Sequence, residues 1–216
     1  MLLEYQLIAP NNPNYTSVEQ VLVNRGIPYE KIEHYLNTTE NDILNPLLIK
    51  NIEDGVKMLI SHIAQNDKVY LQIDSDCDGY TSAAIFLNYL NCLFPSFVQN
   101  NIRYRIHTGK QHGLIFETIP EDADLVVAID SSSNDYLVHM KLSEQGKHVL
   151  VIDHHEADKE SEYACVINNQ LCDYPTKSLC GAGMVYKFCC LIDKLLGVQY
   201  ADQYLDLVSL GLKSLG

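Results

Sequence analysis

Three short stretches of this chain carry residue types able to do chemistry. Asp74-Ser75-Asp76-Cys77-Asp78-Gly79 sets three carboxylates at alternate positions after an apolar run. Asp153-His154-His155-Glu156 follows a second apolar run, and between the two VVAI leads into Asp130. Alternating acids at the start of a turn can converge on a hard cation. The other reading of the first stretch is a polar turn that caps the next helix, with Asp78 near its positive end. An EF-hand is excluded, because position twelve counted from Asp74 is Ile85 rather than Glu, and no incoming helix precedes it. Adjacent histidines cannot point the same way from an extended chain, but in a loop one can bind a metal while the other meets a substrate. Carboxylates with imidazole suit Mn²⁺ or Mg²⁺, whereas thiolates suit Zn²⁺. Two such ions about 3.5–4 Å apart can clamp a phosphoryl oxygen, the usual arrangement for phosphoester hydrolysis.

The elements that must position these residues follow from the apolar pattern. VYLQID at 69–74, IRYRIH at 102–107, LVVAID at 125–130, HVLVID at 148–153 and ACVIN at 164–168 read as strands. Helices are expected from Ile52, with an apolar stripe of Ile52, Val56, Leu59, Ile60 and Ile63, and then over 81–94, 134–145 and 183–196. In the last of these Val185, Phe188, Ile192 and Leu195 face one way, and a final helix starts near Tyr200. Upstream, SVEQ at 17–20 has capping-box spacing and 30–36 forms a second short helix. The predicted fold is α/β, a mostly parallel sheet flanked by helices. A small N-terminal helical segment over 1–45 packs on it, and the catalytic domain covers 46–216. Three strands end in Asp74, Asp130 and Asp153. Ligands of open α/β sheets bind beyond the carboxyl ends of the strands, so a site is expected at that edge.

The composition is ordinary for a globular chain of 216 residues, 47% hydrophobic and 20% charged. Fifteen Lys and Arg against 28 Asp and Glu give a net charge of −13. That excludes a broad basic face gripping nucleic acid by charge alone, although bound divalent metal can supply positive charge locally. Apolar runs such as 125–129 are only strand length, so no membrane span is expected. The start MLLEYQLIAP lacks the basic region of a signal peptide, and seven cysteines occur without a CxxC pair. A cytoplasmic protein with reduced thiols is the expectation.

Together the motifs resemble the DHH phosphoesterase family and, within it, the RecJ-type single-strand-specific exonucleases. Asp74 to Gly79 with Thr81-Ser82 is similar to the first family motif, VVAID ending at Asp130 to the second, and Asp153-His154-His155 to the name-giving triplet. LCGAGMVYKF at 179–188 is similar to the glycine-containing motif of RecJ-type members. Asn45-Pro46-Leu47-Leu48, VLVNRGI at 21–27, KNIEDGVK at 50–57 and HGL at 112–114 match further RecJ segments, so the resemblance spans nearly the whole chain.

The resemblance implies a hydrolase of phosphoester bonds, an exonuclease releasing nucleotides from single-stranded DNA with two divalent ions, Mn²⁺ preferred or Mg²⁺. Asp76 and Asp78 would each hold one metal, Asp130 would bridge both, and His154 would ligate the second. His155 would contact the scissile phosphate or the leaving oxygen, and Asp74 would be an auxiliary acid holding the loop. The N–H groups of the Gly181-Ala182-Gly183 turn would bind phosphate or, alternatively, the glycines would permit close packing. Arg103, Arg105, Lys110 and His112 would line the substrate approach, with Arg105 and His112 foremost. Partners would be single-stranded nucleic acid, DNA foremost, and replication or repair proteins. The alternatives are a family relative acting on short oligonucleotides, cyclic dinucleotides or phosphoanhydrides, and an impaired scaffold. LVSLG at 207–211 continues into LKSLG, where the family's fourth motif carries an acid near position 215. Truncation within that motif, absence of the DHH-associated domain and reduced activity of this chain alone are the corresponding expectations.

Overall fold

Runs rich in Val, Ile and Leu favour strands buried on both faces, and the central strands here are of that kind. The computed structural model describes residues 11–39, 42–109 and 111–214. The chain divides into two compact units, 1–44 and 45–216.

The first unit holds α1 (Ser17–Asn24) and α2 (Ile32–Leu36). A capping box starts α1, but one residue earlier than its sequence suggests. Thr16 is the cap, its hydroxyl accepting from the Glu19 N–H at 3.3 Å, while the Glu19 carboxylate accepts from the Thr16 N–H at 2.6 Å.

In the second unit come α3 (Ile52–Gln65), β1 (Val69–Ile73), α4 (Cys77–Leu93), α5 (Pro95–Asn101), β2 (Ile102–Ile106) and β3 (Leu125–Ile129). There follow α6 (Tyr136–Glu144), β4 (His148–Asp153), β5 (Cys165–Asn168), α7 (Gly181–Leu196) and α8 (Leu205–Ser214). Among the described residues the strands form one all-parallel sheet in the order β2-β1-β3-β4-β5. Val126, Ala128, Val149, Val151 and Val166 share one face and are covered by Leu142 of α6 and by Leu114. The other face carries Leu150 and Ile167, against which α3 lies so close that a Cβ at Gly55 would sit 2.9 Å from Leu150. On that side α7 contacts α3 and β4, and α8 lies against α4 and α7.

Several element boundaries differ from the sequence reading. The second helix of the sheet domain begins at Cys77 rather than Thr81, because Asp76 caps it. Pro95 does not only end that helix. It opens α5, occupying the first turn where its missing N–H costs nothing. On α3, His62 is buried and belongs to the inward face, its ring held by Asp67 at 2.7 Å and His148 at 2.8 Å. Leu195 of α7 is exposed rather than part of its buried face. No helix among the described residues is long and apolar enough to cross a membrane.

Candidate metal centre

The carboxyl ends of β1, β3 and β4 deliver the acids. The Asp130 N–H donates to the Ile152 carbonyl at 2.9 Å, extending the β3–β4 ladder past the end of β3. Asp130 then adopts a left-handed conformation at φ 63°, which Asp tolerates better than most residues, and Ser132 follows at φ 80°. This turn brings the Asp130 Oδ1 to 3.1 Å from the His154 Nε2. The Asp78 Oδ2 lies 3.4 Å from the same nitrogen.

All three acids are nearly sealed from water. Asp78, Asp130 and Asp153 are each 1% exposed. Burial, with the charges of Asp78 and Asp76 adding to it against the attraction of His154, pushes the Asp130 carboxyl up to about 7. Asp153 behaves oppositely. Burial alone would raise it, but the His155 ring at 2.8 Å, Ser133, the charge of that ring and the His155 N–H at 3.2 Å together outweigh burial. Its carboxyl is held below the usual carboxylate range. The same bond lifts His155 to about 9 against the effect of burial. The His155 Nε2 is the ring nitrogen that Asp153 does not use.

The remaining predicted residues are placed as follows. Asp76 caps α4 through the Gly79 N–H at 2.8 Å, and its charge acts on both Asp130 and His155. Asp74 pairs with the His112 Nδ1 and accepts the Ser75 N–H at 2.7 Å. The ring of His112 stands edge-on to that of His155, 5.7 Å between centroids. Arg105 reaches Gln111 through Nη2 at 3.2 Å, while its Nη1 is buried without a hydrogen-bond partner. Arg103 is committed to Asp122. Lys110 and Leu215 lie outside the described residues.

One expectation is corrected here. The first N–H groups of α7 are not open to phosphate, because they already bond groups within the protein. Gly181 donates to the Asp78 Oδ2 at 2.7 Å, Ala182 to the Asp78 Oδ1 at 2.9 Å and Gly183 to the Cys180 Sγ at 3.3 Å. Gly181 instead serves close packing: a Cβ there would lie 2.8 Å from the Asp130 Cβ. Sequence reasoning also missed His107, buried 3.7 Å from Asp74, whose ring burial pushes down in pKa despite that carboxylate. It follows β2 directly, at the same carboxyl edge as Asp74, and its place at the end of the predicted strand IRYRIH was the available signal.

The donor set fits a divalent cation. Ligand atoms of Asp130, His154 and His155 lie within 4.8 Å of one another. The Asp130 Oδ1 and His154 Nε2 are both buried and, though 3.1 Å apart, lack the alignment of a hydrogen bond. Hard oxygens with one or two imidazoles suit Mn²⁺ or Mg²⁺. Two surface concavities share Asp54, Met58 and His148 around the amino end of β4, and no residue of the candidate centre lines them.

A parallel α/β sheet whose carboxyl edge gathers carboxylates and paired histidines defines an α/β domain with a candidate metal centre. The chain belongs to the DHH family: the profile of the DHH family, N-terminal domain, matches residues 68–212. It is 42% identical to YorK, an SPbeta prophage-derived protein of Bacillus subtilis strain 168 with a provisional name of single-strand DNA-specific exonuclease. That match covers 97% of this chain and 36% of YorK. Identity to the single-stranded-DNA-specific exonuclease RecJ of the same organism is 27%, covering 90% of this chain and 25% of RecJ. The fold is shared with RecJ from Thermus thermophilus in complex with Mn²⁺, at a TM-score of 0.68 and 23% identity, covering 88% of this chain and 27% of that one. The chain thus spans about a third or less of the length of these curated relatives.

Proposed function

We propose that this chain is the catalytic lobe of a metal-dependent phosphodiesterase that releases nucleotides from single-stranded DNA. The observation that carries this reading is the buried His154 Nε2 at the carboxyl edge of the sheet, with the Asp130 Oδ1 at 3.1 Å and the Asp78 Oδ2 at 3.4 Å from it. Asp76, Asp78, Asp130 and His154 are the proposed ligands of two divalent ions, Mn²⁺ or Mg²⁺. Once bound, these ions would supply Lewis-acid polarisation of the phosphoryl group and a water of lowered pKa.

The protein's own groups do the rest. Asp153 fixes His155 by its Nδ1 and keeps it charged, so that Nε2 can donate to a phosphate or leaving-group oxygen. Asp74 acts through His112, orienting a second imidazole beside the first. Arg105 would take a neighbouring phosphate of the strand only by swinging its guanidinium out from the position in which Nη1 is buried. Burial of Asp130 restricts water at the centre and strengthens every charge interaction there.

Single-stranded DNA is chosen over double-stranded DNA and RNA because the relatives at 42% and 27% identity carry that substrate in their names. A small phosphodiester is the second reading, favoured by the net charge of −13, which disfavours a long polyanion. Incubating the chain with end-labelled single-stranded DNA and with bis-p-nitrophenyl phosphate, each with Mn²⁺, tests both. Mn²⁺-dependent mononucleotide release that Asp130→Ala abolishes supports the nuclease. Turnover of the small ester alone supports the second reading, and turnover of neither contradicts both.

A further inference from the structure

Asp78 stands under a cover of three helices. It lies in the first turn of α4, and the amino end of α7 donates one N–H to each of its carboxylate oxygens, at 2.7 and 2.9 Å. Beside the amino end of α7, α8 comes against the same carboxylate at Gly211. A Cβ built there would fall 2.6 Å from the Asp78 Oδ1, 2.7 Å from the Ala182 Cβ and 2.9 Å from the Thr81 Oγ1. Gly181 has the same kind of contact with the other central acid, since its Cβ would fall 2.7 Å from the Asp130 Cγ. These distances are shorter than real Cβ contacts, so any side chain at either position must displace a carboxylate or a helix.

A buried carboxylate needs donors, and charge-assisted N–H bonds at a helix amino end are among the strongest available. Two donors, one per oxygen, fix the carboxylate plane as well as its position. The helix dipole adds to the attraction. Four residues widely separated in sequence, Asp78, Asp130, Gly181 and Gly211, therefore form one packed unit.

We infer that the amino end of α7, together with the bare backbone at Gly181 and Gly211, is the positioning device of the metal centre. Its N–H pair aims Asp78, and its missing side chains set the gap in which Asp78 and Asp130 stand. This rests on the reading of the site as a metal centre. It assigns to the glycine motif the task of holding ligands, in place of contacting phosphate, and it makes α8 a part of the site although α8 contributes no ligand. A shift of α8 would move Asp78 and so change metal affinity.

The test uses the full chain and Mn²⁺ alone, followed by calorimetry, with thermal melting recorded for every variant. Gly181→Ala and Gly211→Ala are expected to lower Mn²⁺ affinity about tenfold or more, the range found when groups supporting metal ligands are removed. Leu142→Ala, a fully buried residue on the far face of the sheet, controls for stability. It should melt earlier and bind Mn²⁺ as the unsubstituted chain does. A second measurement needs neither metal nor a glycine variant. In Asp78→Asn the amides of Gly181 and Ala182 should exchange hydrogen faster, while amides deeper in α7 keep their protection. Absence of Mn²⁺ binding by the unsubstituted chain would overturn the metal reading beneath the inference. Unchanged affinity in both alanine variants, or unchanged exchange at residues 181 and 182, would overturn the inference itself. Should either alanine variant fail to fold, the exchange result decides.

Discussion

The Asp130 Oδ1 and the His154 Nε2 stand 3.1 Å apart although the two residues leave the sheet from different strands. The register explains the meeting. Ile129 of β3 pairs with Ile152 of β4, so the next residues, Asp130 and Asp153, emerge side by side. The left-handed turn at Asp130 swings its carboxylate across the end of β4, where Asp153 has already fixed the start of the histidine pair.

The two histidines should divide their labour. His154→Ala is expected to weaken Mn²⁺ binding. His155→Ala should leave most of that binding intact while lowering kcat on the order of 10²-fold. Calorimetry beside steady-state kinetics separates them. Equal loss of metal in both variants would make His155 a ligand as well.

His155 should remain charged well above neutrality in the metal-free chain. Its folded pKa of about 9 lies above the ordinary 6.5. The pair with Asp153 thus contributes stability that is present below about pH 6.5 and lost as pH rises through about 9. NMR titration of the ring should show the late transition, and Asp153→Asn should return it toward the ordinary value. A native His155 that titrates near 6.5 would show that Asp153 does not hold it.

Acid sensitivity should arise elsewhere, at His139 of α6. This ring is fully buried with one nitrogen 3.1 Å from the Ser161 hydroxyl, and burial, opposed only weakly by Asp135, lowers its pKa to about 4. A depressed histidine keeps its stability above about pH 6.5 and loses it as pH falls toward 4. The expected loss between pH 7.5 and pH 5 is about 2 kcal/mol from this group. His139→Leu should remove that part of the pH dependence of melting. An unchanged slope would exonerate the residue.

Salt should affect DNA cleavage weakly. Two of the chain's three arginines, Arg103 and Arg105, lie on β2, and Arg103 is already paired. With 15 Lys and Arg against 28 Asp and Glu, a net charge of −13, little counterion release is expected. The apparent KM for single-stranded DNA should rise by less than about tenfold between 50 and 200 mM salt, against the much steeper loss typical of proteins with many phosphate contacts. A steep loss would reveal a cationic track that these residues do not account for.

The sheet and its acidic edge were legible in the sequence because a local rule governs them. Apolar runs of about five residues ending in Asp74, Asp130 and Asp153 declare both the strands and the edge they share. The task of the glycine motif was not legible. The N–H groups of Gly181 and Ala182 bond a carboxylate more than a hundred residues away, and no local pattern records such a contact. The inward face of α3 was only partly legible for a related reason. His62 is a poor core residue by type, and only its bonds to Asp67 and His148 make burial tolerable. The early start of α4 was half legible: a capping turn was one of two readings of the stretch, but its sequence did not single out Asp76 as the cap.

Mn²⁺ titration of the full chain beside Asp130→Ala, followed by calorimetry at neutral pH, decides whether these residues hold a divalent ion. Saturable binding to the unsubstituted chain is expected, with a loss of at least about tenfold in affinity when Asp130 is removed, because that carboxylate faces the His154 Nε2 at the heart of the centre. Binding of equal strength by the two proteins, or no binding by either, would contradict it.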